Sequence, residues 1–283
     1  ALVHGDTRRS WGEVAQRSAS LAAAMLAGSA VAGDRCALLM RNSAEYAEAM
    51  IACLRARLVH VNVNYRYTGE ELWYILDNSD AAVCVYDAEF APLVNSIRSR
   101  LPTKVWIQLG GDTPAFAQDF EATASAGHSL PPQDHQPTDM LFIYTGGTTG
   151  LPKAVMLSHR NLVANVQQIN MLLNLKPGEK TPAFLPFFHI YGLNVLMNPF
   201  LAAGARIVTM PRFDLEAFLT HIQTHRPRHI LVAPPVAIAL AKHPMVDRFD
   251  LSSIETLISA AAPLGVETAE AVGRRLGCRR MRG

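Results

Sequence analysis

The sequence has few cysteines, and they are far apart. The four of them, none in a C-x-x-C pair, are Cys36, Cys53, Cys84 and Cys278. Disulfide-stapled domains and cysteine zinc sites need closely spaced cysteines, so the sequence disfavours both. We therefore expect a reducing compartment and a cytoplasmic location.

The sequence also lacks an excess of either charge. Lys and Arg together number 26 and Asp and Glu number 24, which gives a formal net charge of +2. This near-balance argues against a protein that coats nucleic acid. Five arginines lie close together between Arg274 and Arg282, and this cluster is typical of a solvated helix end. We expect no nucleic-acid partner.

No apolar run is long enough to span a membrane. The longest uncharged apolar stretch extends from Ile190 to Ala205 and contains Pro199, whereas a bilayer-spanning helix needs about 20 apolar residues. We interpret the stretch as a buried helix with a bend, and a peripheral contact with a membrane surface stays open as an alternative.

The overall composition and the pattern along the chain indicate an α/β protein. Of the 283 residues, 49% are hydrophobic and 18% are charged, which suits a chain with a sizeable core. Short apolar strands alternate with amphipathic helices, and two helices begin at S/T-x-x-E capping boxes, at Ser10 and Thr68. The alternation predicts two lobes of mainly parallel sheet flanked by helices. An irregular connection over residues 110–138 is expected to join a first lobe, 1–109, to a second lobe, 139–283.

A glycine- and threonine-rich segment from Tyr144 to Lys153, with the sequence Y-T-G-G-T-T-G-L-P-K, directly follows an apolar strand. Its glycines let a ligand approach the main chain, and its amides, hydroxyls and lysine can surround an anion. It is not a Walker A loop, because Ala154 follows the lysine where Ser or Thr is required. The segment predicts a polyphosphate site and disfavours a P-loop kinase or GTPase.

Four segments resemble motifs of the adenylate-forming, AMP-binding enzyme superfamily. The Gly/Thr loop is similar to that family's T-S-G-T-T-G-x-P-K-G signature, with Gly146 in place of the serine. The other three are G-D-R-C-A-L-L from Gly33, L-P-F-F-H-I-Y-G from Leu185 and S-A-A-A-P-L-G from Ser259. A fifth segment, V-N-V-N-Y-R from Val61, resembles the bacterial fatty-acyl-CoA synthetase branch, the long-chain-fatty-acid–CoA ligases.

The resemblance implies ATP-dependent conversion of a carboxylic acid, expected to be a fatty acid, to an acyl-adenylate and then to acyl-CoA. The implied partners are small molecules: the acid, ATP with Mg²⁺, and CoA. Catalytic roles fall to Lys153 and His189, and the acid pocket is expected to include His189, Tyr191 and Gly192. The nucleotide-binding residues implied by the motifs are Thr145, Gly146, Gly147, Thr148, Thr149, Gly150, Lys153, Ala261, Ala262 and Pro263. Thr148 and Thr149 are expected to contact the Mg²⁺ of Mg-ATP.

Three functions stay open at this point. The first is an acyl-CoA synthetase, represented by a truncated N-terminal domain in which the CoA site is mostly absent. The second is another adenylate-forming enzyme, such as an acyl-carrier-protein ligase, an aryl-CoA ligase or a luciferase-like enzyme. The third is a truncated product without activity. The sequence does not indicate an oligomeric state.

Overall fold

A computed structural model describes residues 1–131, 133–146 and 150–282. The chain forms two compact units. The first unit is Arg9–Val163, and the second unit consists of Ala1–Arg8 together with Ala164–Gly283.

Strands and helices alternate along most of the chain. In the described residues the strands are β1 (Leu2–His4), β2 (Thr7–Arg9), β3 (Arg35–Leu39), β4 (Val59–Asn62), β5 (Ala81–Asp87), β6 (Val105–Leu109), β7 (Gln118–Asp119), β8 (Met140–Thr145), β9 (Lys153–Ser158), β10 (Lys180–Ala183), β11 (Arg206–Thr209), β12 (His229–Val232), β13 (Thr256–Ser259) and β14 (Arg280–Arg282). The α-helices are α1 (Trp11–Ala27), α2 (Ala44–Arg55), α3 (Gly69–Asn78), α4 (Ala91–Ile97), α5 (Phe120–Ser125), α6 (His159–Leu173), α7 (Asn198–Ala202), α8 (Leu215–His225), α9 (Pro234–Lys242) and α10 (Val266–Leu276). A π-helix, Tyr191–Met197, precedes α7.

The first unit contains a seven-stranded sheet in the order β7-β6-β5-β3-β4-β8-β9. Its neighbours pair in parallel from β7 to β8, and β9 is antiparallel to β8. The central strands are buried along nearly their whole length, as apolar runs in a sheet covered on both faces should be. This arrangement confirms the predicted α/β fold of mainly parallel sheet.

Both predicted capping boxes are present and fix where helices begin. At the start of α1, the Ser10 amide donates to Glu13 Oε2 at 2.7 Å and the Glu13 amide donates to Ser10 Oγ at 3.2 Å. At the start of α3, the Thr68 amide donates to Glu71 Oε2 at 2.7 Å. Each box satisfies amides that a helix leaves without partners in its first turn.

The boundary between the units differs from the predicted one. Residues 110–138 were expected to separate two lobes, but they contain β7 and α5, both of which belong to the first unit. The strand that follows them, β8, then pairs with β4 in the same sheet. The physical reason is that β4 would otherwise leave its amides and carbonyls unpaired along one edge. The chain instead passes from one unit to the other at Arg8–Arg9 and again at Val163–Ala164, the latter within α6.

The second unit contains two smaller sheets, β10-β11-β1-β2 and β12-β13-β14. The apolar stretch that begins at Ile190 forms the π-helix and α7, and Leu193, Leu196 and Phe200 are fully buried. This confirms the interpretation of the stretch as a buried helix. In the part of the chain that the structure describes, no helix is both long and apolar enough to cross a membrane.

Asp87, the last residue of β5, is a carboxylate at the carboxyl edge of the seven-stranded sheet. Its Oδ2 accepts a hydrogen bond from the Arg41 amide at 2.8 Å, whereas its Oδ1 is buried and has no hydrogen-bond partner among the described residues. Burial away from water raises the pKa of Asp87 to about 7. Between about pH 4 and about pH 7, the folded protein therefore keeps a proton on the Asp87 carboxyl, whereas the unfolded chain releases it.

This difference in protonation gives a testable pH dependence. Because the folded-state pKa of Asp87 lies above its unfolded one, the contribution of Asp87 to the free energy of unfolding should fall as pH rises from about 4 to about 7, by at most about 1.4 kcal/mol per pH unit. Asp87→Asn should remove this fall, and Asp77→Asn, at an exposed position on α3, should leave it. Urea unfolding across this pH range measures the effect. An unchanged slope in Asp87→Asn would contradict the assignment.

Candidate nucleotide and acid site

The Gly/Thr loop connects β8 to β9 at the carboxyl edge of the seven-stranded sheet. Thr145, the last residue of β8, pairs with Lys153, the first residue of β9. On its other side β8 runs parallel to β4, so the loop emerges at the ends from which the chain leaves both strands. Open α/β sheets generally bind ligands at this edge.

Two tyrosines tie the flanks of the loop to α3. Tyr144 Oη donates to Asn78 Oδ1 at 2.8 Å, and Tyr74 Oη donates to the Pro152 carbonyl at 3.0 Å. Tyr74 and Asn78 are four residues apart and so lie on one face of α3. The sequence analysis did not identify this pair, although its Y-x-x-x-N spacing on a predicted helix was a usable signal. These contacts hold the residues at both ends of the loop against α3.

The described loop residues are open to solvent. Thr145, Gly146, Gly150 and Lys153 are all exposed, and a Cβ added at either glycine would meet no atom of the described residues within 4 Å. Within residues 1–131, 133–146 and 150–282, the Lys153 ammonium makes no hydrogen bond or ion pair, so its charge is available to an anion. The predicted ligand residues Gly147, Thr148 and Thr149 lie outside the described residues, and the Mg²⁺ contact assigned to the two threonines stays a prediction.

His189 follows β10 in the second unit and has an exposed side chain. Its Nδ1 accepts a hydrogen bond from the Tyr191 amide at 3.1 Å. Partial burial of the ring lowers the pKa of His189, which favours the neutral imidazole. Since Nδ1 is the acceptor, the neutral ring carries its hydrogen on Nε2. The arrangement provides a single N–H donor for a carboxylate or phosphate oxygen.

The Tyr191 hydroxyl joins the carboxyl ends of two parallel strands. It lies 3.2 Å from the carbonyl of Val232, the last residue of β12, and 3.1 Å from the carbonyl of Ile258 in β13. Burial raises the pKa of this phenol well above its usual value, so it stays protonated and donates. Tyr191 therefore positions the strand ends. The contact with an acid expected for it stays a prediction.

Gly192 is required by a close approach of two backbone segments. A Cβ at this position would lie 2.2 Å from the Pro186 carbonyl oxygen and 2.6 Å from that of Leu185. Any side chain would therefore displace the turn that carries His189. The glycine predicted as part of the acid pocket thus has a packing role in the L-P-F-F-H-I-Y-G segment.

The segment after β13 has an unusual backbone. Ala261 has a φ of 74°, in the left-handed region, where a Cβ costs about 1–2 kcal/mol. Ala261, Ala262 and Pro263 are exposed, and the Ala260 amide donates to the Val232 carbonyl at 3.2 Å. Strained residues of this kind concentrate at functional sites. The sequence could not reveal the strain, because nothing in an alanine run indicates a positive φ.

The second unit brings two of the predicted segments together, the one from Leu185 and the one from Ser259. Tyr191 hydrogen-bonds Ile258, and two residues beyond Ile258 the chain enters the segment from Ala260 to Pro263. The histidine donor and the strained turn are thus both attached to the β12–β13 pair. The Gly/Thr loop belongs to the first unit.

Comparison with known proteins shows which family has a sequence similar to this chain. The model of the AMP-binding enzyme family matches residues 1–283. A 4-coumarate–CoA ligase 5 from Oryza sativa subsp. japonica is 34% identical over 283 residues, which covers 97% of this chain and 52% of the ligase. The expectation of the fatty-acyl-CoA synthetase branch is not supported by these relatives: curated proteins 33–35% identical to this chain carry the name 4-coumarate–CoA ligase.

Solved structures show the same fold. The anthranilate CoA ligase AuaEII in complex with anthranoyl-AMP superposes with a TM-score of 0.92 at 23% identity, covering 99% of this chain and 55% of that protein. ATP-bound MatB from Rhodopseudomonas palustris superposes with a TM-score of 0.87 at 25% identity, covering 100% and 56%. The chain spans about half the length of the proteins it matches.

The strain at Ala261 gives a prediction that the loss of a side chain can raise stability. Ala261→Gly removes the cost of a Cβ at positive φ, about 1–2 kcal/mol, and adds about 0.4–1 kcal/mol of unfolded-state entropy. Since the entropy change lowers stability, the net expectation is a rise in the free energy of unfolding of up to about 1.6 kcal/mol. The neighbouring Ala262→Gly, at a residue outside the positive-φ set, should lower it, and chemical denaturation of both variants compares them. Equal losses in the two would contradict the strain.

Proposed function

The chain belongs to the AMP-binding enzyme family, and we propose that the protein containing it is an acid–CoA ligase that works through an acyl-adenylate. In the first step a substrate carboxylate oxygen attacks the α-phosphorus of ATP, the bond to the β-phosphate breaks, and pyrophosphate leaves. In the second step the CoA sulfur attacks the acyl carbonyl, AMP leaves, and the thiol proton is released. Both steps move negative charge onto phosphate oxygens, so positioned donors and cations are the main requirement.

The observation that supports this proposal most directly is the exposure of Lys153 and of the glycines Gly146 and Gly150 in the described part of the Gly/Thr loop. Lys153 pairs with Thr145 at the end of the β8–β9 ladder next to the loop. Among the described residues, no acidic group neutralises its ammonium. A compact cation beside open backbone amides suits the β- and γ-phosphates of ATP. ATP use is also supported by the likeness to ATP-bound MatB. Mg²⁺ would accompany ATP and add positive charge at the phosphates.

The second unit would supply the contacts to the acid and the adenine. The Nε2–H of neutral His189 can donate to the substrate carboxylate or to an α-phosphate oxygen, and it does not have to lose a proton to do so. The exposed backbone of Ala260–Pro263 offers amides and carbonyls to the edge of a base. Its strained geometry is maintained by the β12–β13 pair, which the Tyr191 hydroxyl bridges.

For the acid we propose an aryl carboxylic acid. The relatives that are 34% identical are named for 4-coumarate, and the anthranilate ligase shares the fold. The fatty-acid expectation depended on the V-N-V-N-Y-R segment, which lies at β4 and its end, outside the motifs that carry the site. A fatty acid is therefore the second candidate.

Lys153 provides the test of the nucleotide site. Lys153→Ala removes the unpaired cation, and we expect the affinity of the 283-residue chain for ATP to fall at least about tenfold, which corresponds to about 1.4 kcal/mol. Lys242→Ala, which removes an exposed lysine from the end of α9, should leave the affinity unchanged. Fluorescent ATP-analogue titration measures both. Equal affinity in the wild-type protein and Lys153→Ala would remove Lys153 from the site.

The substrate class is tested on the protein expressed from the complete reading frame that contains this chain. Hydroxylamine trapping of the acyl-adenylate, with hydroxycinnamates, benzoates and fatty acids of several lengths, gives kcat/KM for each acid. We expect an aryl acid to exceed every fatty acid by at least about tenfold. A preference for fatty acids would overturn the aryl assignment and keep the ligase, whereas no ATP-dependent product with any acid would overturn the ligase itself.

A further inference from the structure

We propose that His135, Asp139 and His159 form a zinc site in the first unit. The site lies at the end of the β8–β9 hairpin where Met140 pairs with Ser158. One ligand atom from each of the three proposed ligand residues lies within 4.8 Å of those of the other two. This cluster is independent of the Gly/Thr loop, which lies at the opposite end of the same hairpin. It is also independent of the proposed ligase activity.

The hairpin itself brings two of the three residues together. Met140 pairs with Ser158 at the end of the antiparallel ladder, so Asp139 and His159 directly flank the last paired residues. The His159 amide donates to the Asp139 carbonyl at 2.7 Å, and the Arg160 amide donates to the Pro137 carbonyl at 3.1 Å. The backbone that carries the carboxylate and the imidazole is therefore fixed on both sides.

His159 has a buried ring nitrogen. Its Nε2 is shielded from solvent and has no hydrogen-bond partner in residues 1–131, 133–146 and 150–282. A buried imidazole nitrogen without a partner is costly unless something occupies it. Metal coordination at this nitrogen would supply the missing partner.

His135 completes the donor set from the segment before β8. Its Nδ1 lies 3.7 Å from Asp139 Oδ2, and its ring centroid is 6.1 Å from that of His159. Ligand atoms around a tetrahedral zinc ion are about 3.4 Å apart, given metal–ligand distances of about 2.0–2.1 Å. Because the His135 side chain is 41% exposed, a small rotation toward the other two residues can close the remaining gap.

Asp139 is held in place by a cation on its other side. Arg57 Nε donates to Oδ2 at 3.1 Å and a second guanidinium nitrogen donates to Oδ1 at 3.0 Å, and the Gln136 amide also donates to Oδ2 at 3.2 Å. Oδ2 thus accepts two hydrogen bonds and Oδ1 accepts one, which leaves a lone pair on Oδ1 for a metal. Arg57 keeps the carboxylate ionised and oriented, as outer partners of metal ligands do, while its charge reduces the affinity for a cation.

Two imidazoles and one carboxylate select the class of metal. Mg²⁺ and Ca²⁺ prefer oxygen ligands, whereas Zn²⁺ accepts this mixture and commonly has three protein ligands plus water. The probe is therefore Zn²⁺, with Co²⁺ as a spectroscopic substitute whose visible absorption reports coordination geometry. Titrations use the 283-residue chain with the substitution Cys278→Ser. The thiol of Cys278 is partly exposed, whereas the other three cysteines are buried, so it could bind Zn²⁺ by itself.

The expected result is one Zn²⁺ per chain, with the affinity reduced at least about tenfold in His135→Ala and in His135→Gln. Bound Zn²⁺ should also raise the thermal unfolding midpoint of the wild-type chain and not that of these variants. His128→Ala, which removes an exposed histidine of the same unit, is the matched control and should bind normally.

A second histidine pair provides a control for the binding of Zn²⁺ by surface histidines in general. His221 and His225 stack on α8 with ring centroids 5.5 Å apart, and a double substitution to alanine should leave the titration unchanged. Undiminished binding in both His135 variants, or loss of binding in the His221→Ala/His225→Ala protein, would overturn the proposal. The absence of any bound Zn²⁺ in the wild-type chain would overturn it equally.

Discussion

Parallel pairing of β12 with β13 is the constraint on which the candidate acid and adenine contacts depend. It places the carbonyls of Val232 and Ile258 side by side, close enough for the Tyr191 hydroxyl to reach both. That hydroxyl anchors the first turn of the π-helix. His189 lies immediately before it, with its Nδ1 bound to the Tyr191 amide. The strained turn at Ala261 leaves the same strand end.

In the first unit, one antiparallel hairpin inserted at the edge of a parallel sheet has a comparable role. Its β8 strand satisfies the open edge of β4, and its turn presents the Gly/Thr loop at the carboxyl edge. Tyr74 and Tyr144 fix the flanks of that loop to α3. These contacts hold the two ends of the loop in place. At the other end, the same register aligns Asp139 with His159.

The features that could be predicted from the sequence are those that local patterns encode. Capping boxes at Ser10 and Thr68, strand–helix alternation and the family motifs all depend on residues close together in the chain. The boundary at Val163–Ala164 was missed, because the pairing of β8 with β4 joins residues about 80 apart and leaves no local signal. The positive φ of Ala261 and the hydrogen bonds of Tyr191 were missed for the same reason: both are imposed by tertiary contacts. The identity of the acid depends on side chains whose arrangement no motif specifies.

The proposal that the Gly/Thr loop binds the phosphates of ATP is central to the function inferred for this chain. Amide hydrogen exchange of the 283-residue chain, with and without Mg-ATP, tests it most directly because exchange is read peptide by peptide. We expect slower exchange on nucleotide addition in peptides covering residues 144–153, and little change in those covering α1 and α2. Unchanged exchange over residues 144–153 at saturating Mg-ATP would contradict the proposal.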